Sequence, residues 1–279
     1  MSFLSTGQVN YKSRVARAET LATRHAFGTE LLEFYAQIAR FQGELYEELP
    51  KLWGKRPRAA TNRNIRAELN LPILADPFRE FLLLIQAQGP GPLAAHAKTV
   101  AHSSTDKRAT LLEKFWVNGL AQTPNNGDTN LLEEFVGRAF LLPYAEFMVS
   151  GMLPPVLTMA VCRCPRCNSL PLLGVLRQEG DGGKRFLVCS FCSQEWEFRR
   201  IFCAQCGEDD EKKLPVYITE KFPHIRVECC DTCKYFLRTV DLTRDGHAVP
   251  LVDDLAAIPL GLWADENGYK RIQSNLLGT

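Results

Sequence analysis

Apolar residues recur at three- and four-residue steps through the first half of the chain. Leu31, Phe34, Tyr35, Ile38, Phe41, Leu45 and Leu49 share one face of a predicted helix. Asp76 followed by Pro77 reads as a helix start, a carboxylate cap ahead of a proline whose missing N–H costs nothing in a first turn. The apolar run from Phe78 to Ile85 continues that helix, and Gly89-Pro90-Gly91-Pro92 ends it. A further helix is expected over about 107–118. Asn125-Asn126-Gly127-Asp128 reads as a loop, and Thr129 as the cap of a long helix through Leu131, Leu132, Phe135, Phe140 and Phe147, kinked at Pro143. From about Val161 the pattern shortens to strands and turns. Phe186-Leu187-Val188, then Trp196, Phe198 and Ile201, then Val216-Tyr217-Ile218, Ile225-Arg226-Val227 and Tyr235-Phe236-Leu237 are the strand candidates. Gly180-Asp181-Gly182-Gly183 looks like a hairpin tip, and Lys221-Phe222-Pro223-His224 a turn that leaves His224 on the surface. A final helix is expected over about 253–277, capped by Asp253 or Asp254. Leu255, Ile258, Leu262, Tyr269 and Ile272 would form its buried side, with Pro259 and Gly261 breaking the middle.

The helical stripes are read as core packing. His25, His96 and His102 are scattered, and the six-residue step between the last two keeps them off a shared helix face. The first half therefore offers no catalytic constellation. Hydrophobic residues make up 46% and charged ones 23%, ordinary for a soluble globular protein. Residues 161–279 hold 16 Lys+Arg against 17 Asp+Glu, so no basic region favours nucleic acid or anionic lipid. The first twenty residues lack an apolar core with a small-residue cleavage site, and no apolar run reaches membrane-spanning length. The expected location is the cytoplasm, where thiols stay reduced and paired cysteines point to metal or redox chemistry.

Cysteine usage changes the picture most. Eight of the ten cysteines form four Cys-x-x-Cys knuckles: Cys164/Cys167, Cys189/Cys192, Cys203/Cys206 and Cys230/Cys233. Two intervening residues let a tight turn aim both sulfurs at one point about 2.3 Å away, and two knuckles complete a tetrahedron. Four knuckles make two sites. Sequence neighbours suggest Cys164, Cys167, Cys189 and Cys192 for the first and Cys203, Cys206, Cys230 and Cys233 for the second, although the short step from Cys192 to Cys203 permits a swap. A thioredoxin-like reading of Cys164-Pro165-Arg166-Cys167 needs a βαβ neighbourhood that the pattern lacks. The repeat of knuckle, hairpin, knuckle and strand predicts two stacked ribbons. Each is too small to hold by burial alone, so metal should supply much of its folding energy. Four thiolates suit zinc and mononuclear iron equally, and iron would make the ribbons rubredoxin-like. Cys162 and Cys229 abut knuckles and read as bystander thiols, with a resolving or substitute ligand as the alternative. Trp196 and Tyr235 read as core packed over the knuckles.

The residues around the knuckles say more than their spacing. The stretches are Cys164-Pro165-Arg166-Cys167-Asn168-Ser169-Leu170-Pro171, Cys189-Ser190-Phe191-Cys192-Ser193-Gln194-Glu195-Trp196, and Arg200 before Cys203-Ala204-Gln205-Cys206. Next come Glu228-Cys229-Cys230-Asp231-Thr232-Cys233 and Tyr235-Phe236-Leu237-Arg238-Thr239-Val240-Asp241, then Asp253-Asp254-Leu255-Ala256 and Ala264-Asp265-Glu266-Asn267-Gly268-Tyr269. Over about 160–270 the chain resembles the formate dehydrogenase accessory, or formation, proteins of the FdhE type. Two departures stand out. Asn168 replaces the glycine that usually follows the first knuckle, a position where Asn tolerates a left-handed backbone. Phe236-Leu237-Arg238 stands where the family has Tyr-Leu-Lys.

The resemblance implies a maturation factor with rubredoxin-like modules described as binding iron. It would be needed for active formate dehydrogenase and would associate with that enzyme's catalytic subunit in the cytoplasm before export, with no small-molecule turnover of its own. The expected fold is α+β: a helical domain over 1–160, a first rubredoxin-like or zinc-ribbon module over 161–200, a second over 201–243, and a C-terminal helical segment over 244–279. The expected metal ligands are the eight knuckle cysteines, with two mononuclear ions, iron preferred and zinc the alternative. No nucleic acid and no membrane insertion are expected, and a homodimer is compatible with this reading. A rubredoxin-like electron carrier and a zinc-ribbon nucleic-acid module are the alternatives.

Overall fold

The computed structural model describes residues 9–53, 64–118, 131–152, 161–180, 182–276 and 278. Six helices come first: α1 (Tyr11–Arg24), α2 (Thr29–Trp53), α3 (Leu71–Gln88), α4 (Gly91–Ala101), α5 (Thr105–Asn118) and α6 (Leu131–Val149). Asn10 caps α1, its side chain accepting from the Ser13 amide at 3.0 Å. On α2 the apolar stripe is real: Leu32, Tyr35, Ile38, Leu45 and Leu49 are buried, and Leu31, Phe34 and Phe41 half-buried beside them. Its neighbour α6 is buried on nearly every side, as suits a helix at the centre of a bundle, and it runs on through Pro143. The loop expected over 125–128 and the cap expected at Thr129 lie outside the described residues.

One helix start differs from expectation. α3 begins at Leu71, with Pro72 in its first turn, and Pro77 lies inside it. A proline there removes a backbone hydrogen bond and crowds the preceding turn. Leu74 and Phe78 on either side are completely buried, and that packing carries the helix through.

The second half is one sheet. β1 (Pro171–Glu179) and β2 (Gly182–Cys189) form an antiparallel hairpin, and β3 (Glu195–Glu197) pairs with β2. β4 (Val216–Ile218), β5 (Ile225–Cys229) and β6 (Tyr235–Asp241) form a second antiparallel ribbon. The ribbons are not stacked. They join edge to edge through a short parallel seam, Gly174 opposite Thr239 to Leu176 opposite Asp241, giving the order β3-β2-β1-β6-β5-β4. Each ribbon has one edge strand facing the other, and pairing them satisfies backbone groups that stacking would leave open. Gly174 permits the close approach, since a Cβ there would lie 2.3 Å from the Thr239 hydroxyl oxygen.

The C-terminal segment is also helical, but in two pieces. α7 (Pro250–Ala256) and α8 (Ile258–Glu266) break at Ala257, just ahead of Pro259, and the strand β7 (Lys270–Arg271) then adds to β6. Tyr269 and Ile272 therefore lie beyond the helix, which ends well short of residue 277. Neither Asp253 nor Asp254 is the N-cap, a place taken by Val249. Both acids are buried inside α7 and pair with arginines from elsewhere in the chain.

Two candidate four-cysteine metal centres

Each knuckle is a small device for reversing the chain around a sulfur. The residue after the second cysteine is left-handed in all four: Asn168 (φ 60°), Ser193 (φ 52°), Gly207 (φ 81°) and Lys234 (φ 59°). That turn closes with an amide bonded back to the first cysteine's carbonyl, from Asn168 at 2.9 Å, Gly207 at 3.0 Å and Lys234 at 2.8 Å. The first cysteine's own amide then donates forward, to the carbonyls of Ser169, Gln194, Glu208 and Tyr235 respectively. Further amides aim at sulfur. Arg166 donates to Cys164 Sγ at 3.4 Å, Phe191 to Cys189 Sγ at 3.3 Å and Gln205 to Cys203 Sγ at 3.4 Å. Such N–H···S contacts favour the thiolate form and set how strongly it donates to an ion.

The sulfurs converge in the sequence-neighbour grouping. Ligand atoms of Cys164, Cys167, Cys189 and Cys192 all lie within 4.8 Å of one another, as do those of Cys203, Cys206, Cys230 and Cys233. In the first centre Cys164–Cys192 is 3.6 Å, Cys167–Cys189 3.3 Å and Cys167–Cys192 3.7 Å. In the second, Cys203–Cys233 and Cys206–Cys230 are both 3.7 Å. A tetrahedron with metal–sulfur bonds of about 2.3 Å has edges of about 3.8 Å, so both groups fit a four-thiolate ion. Burial pushes the Cys189 and Cys192 thiols well above their ordinary range and raises Cys203 to about 11, while burial is outweighed by hydrogen bonds that hold Cys167 well below its ordinary value and Cys230 below it. In the buried first centre, thiols this close ionise together only against a cation.

The remaining candidates fall where packing puts them. Trp196 is buried, its indole N–H donating to the Val161 carbonyl at 2.8 Å, and Tyr235 is half-buried against the same core. Cys229 lies with Phe236, Ala264 and Tyr269 in one apolar cluster; burial, then the Asp231 and Glu228 carboxylates, push its thiol up to about 12. Cys162 is half-buried, with its sulfur 3.9 Å from the Cys203 carbonyl oxygen.

His224 is not a free surface residue. Its Nε2 meets Asp253 Oδ1 at 2.8 Å, and Asp253 also receives Arg17 at 2.5 Å. Arg17 reaches Asp245 as well, at 2.8 Å. His224, Asp245 and Asp253 bring three ligand atoms together, but the Arg17 guanidinium already supplies their positive charge. Sequence reading missed this knot and a second one, in which Asp254 takes Arg238 at 2.8 Å and Arg271 at 2.7 Å. Its signal was two adjacent acids in the apolar stretch Val252-Asp253-Asp254-Leu255, a placement that requires buried cationic partners. Among the described residues no helix is long and apolar enough to cross a membrane.

Comparison with known proteins agrees with this geometry. The domain family described as "FdhE, central domain" matches residues 163–200, and "FdhE, C-terminal domain" matches residues 201–277. A "Protein FdhE homolog" from Pseudomonas putida is 30% identical over 288 residues, covering 96% of this chain and 86% of the relative. One from Aquifex aeolicus is 34% identical over 116 residues, 41% of each chain. The crystal structure of the FdhE protein from Pseudomonas aeruginosa superposes with a TM-score of 0.72 at 25% identity, covering 96% of this chain and 95% of that one. The similarity thus spans the helical half as well as the knuckles, and the chain belongs to the FdhE family.

Proposed function

We propose that this chain is an accessory protein for the formation of active formate dehydrogenase and that it binds the catalytic subunit of that enzyme in the cytoplasm. It acts as a scaffold and not as an enzyme. The observation that carries the reading is family membership along nearly the whole chain, together with two groups of four converging sulfurs. In this reading Cys164, Cys167, Cys189 and Cys192 hold one mononuclear ion and Cys203, Cys206, Cys230 and Cys233 another, with iron preferred and zinc the alternative. The ion would organise ribbons too small to hold by burial alone. The two ribbons, over 161–200 and 201–243, then form a rigid platform beside the helical domain.

Co-purification from cells expressing the catalytic subunit tests the partner. Stable association, and loss of formate dehydrogenase activity when the chain is deleted, are expected. A deletion strain with undiminished activity would refute the accessory role. Metal analysis and visible spectra of anaerobically prepared protein separate iron from zinc. Colourless material with two zinc ions would remove the rubredoxin-like electron-transfer alternative. The balanced charge of the second half counts against a nucleic-acid module.

A further inference from the structure

The two sulfur groups have the same internal geometry and opposite surroundings. The first is roofed by the helical half. Arg66 donates to the Cys167 carbonyl at 3.0 Å, to Ser169 Oγ at 2.8 Å and to the Trp116 carbonyl, and its guanidinium lies over the Phe191 ring at 4.0 Å. The Ile65 amide bonds the Arg166 carbonyl at 2.9 Å, and Arg138 of α6 reaches the Ser190 carbonyl at 3.2 Å. Phe115 and Trp116 pack against Phe191. None of the four cysteines is more than 3% exposed.

Among the described residues no such roof covers the second group. Cys206 is exposed and Cys233 half-buried. Its flanks are surface pairs: Thr232 with Glu208 at 2.5 Å, and Lys234 with Asp231 at 2.6 Å. A cavity of about 420 Å³ adjoins Cys203 and Cys230, and among the described residues its lining comes from residues 176–272.

Replacing a thiolate on such an ion needs an incoming donor to reach the metal, or a thiolate to swing out. Both require an open face. At the first centre that means parting the helical half from the sheet, whereas at the second it means moving an exposed turn. We propose that the second centre is an exchangeable site for a soft divalent ion and that the first is locked. Incoming thiols replace Cys206 and Cys233 one for one at the exposed edge, each passing its proton to the departing thiolate, so ligand count, charge and metal oxidation state do not change. This rests on the reading that the knuckle cysteines hold metal.

The test uses the full chain loaded with two equivalents of zinc, mixed with excess EDTA, and sampled for release over time. One equivalent should leave at least about ten times faster than the other, with the helical part of the far-ultraviolet circular dichroism spectrum retained after the first has gone. Cys206→Ser should abolish the fast phase and keep the slow one. Arg66→Ala, which removes the roof, should speed the slow phase alone, and it assigns the phases even if Cys206→Ser fails to fold. Release of both equivalents at one rate overturns the proposal. So does a fast phase that survives Cys206→Ser, or one that Arg66→Ala accelerates. A chain that takes up no zinc or iron would instead sink the metal reading itself, and this proposal with it.

Discussion

At Asn168, Ser193 and Lys234 the backbone is left-handed without glycine. An L-residue carries a cost of about 1–2 kcal/mol there, less for Asn, whose side chain is the best tolerated. Ser193→Gly should therefore leave stability unchanged or raise it by about 1 kcal/mol, whereas Ser193→Val should lower it by about 1–2 kcal/mol. Denaturant unfolding of the two variants beside the parent reads the difference, and equal midpoints for Gly and Val would refute it. Spacing alone identified the eight convergent sulfurs, because Cys-x-x-Cys encodes its own turn. It could not reveal that one group is roofed by Arg66, a contact made by a residue 101 positions before Cys167.

Among the elements, the parallel seam between β1 and β6 is the joint on which the sheet depends. Gly174→Val would drive a side chain into Thr239 across that joint. Overpacking of this kind costs about 1–3 kcal/mol. Thermal unfolding should register the loss, and a paired Thr239→Ala should recover part of it by clearing the hydroxyl. A Gly174→Val protein as stable as the parent would show that the seam has slack. Most strands and the hairpin tip were legible because alternation and glycine turns are local, but β1 was not singled out, and Phe198 and Ile201 lie beyond β3. The seam was not, since pairing between distant strands leaves no local signature. Helix bounds near proline failed for a related reason. Asp76-Pro77 has the chemistry of a helix start, and only the burial of Leu74 and Phe78 decides that the helix began earlier.

Across the molecule, buried ion pairs join segments far apart in the chain, and Arg17 with Asp253 links the helical half to the second half. Arg14 meets Glu146 at 2.6 Å, with Tyr11 donating to the same carboxylate, and Arg17 and Arg238 anchor α7. Burial raises the Asp254 carboxyl, but Arg238 and Arg271 outweigh it and hold the group below its ordinary value. Asp241 is likewise held down, with Thr243 and Arg226 overcoming burial. A carboxylate whose folded pKa is depressed contributes stability that is present above its unfolded value of about 4 and is lost as pH falls through the folded one. Asp254→Asn leaves Arg238 buried without its charge partner and should cost about 3–5 kcal/mol at neutral pH. The gap from the parent should narrow below about pH 4, and denaturant midpoints across pH measure it. A gap that stays constant in acid would show that the carboxylate does not carry the effect. In the proposed metal reading, stripping both ions should melt the sheet half first, because its ribbons have little burial of their own. A circular dichroism spectrum that keeps its strand signal after complete removal would contradict this.

The pairing of Arg17 with Asp253 spans 236 residues. At a synthesis rate of about 5–20 residues per second, the first helix leaves the ribosome on the order of 10–50 s before its carboxylate exists. Until then Arg17 is an exposed cation on an amphipathic helix whose apolar side has no α7 to cover it. The α1 segment of the newborn polypeptide must wait for the 236 residues that separate Arg17 from Asp253 before its last contacts can close.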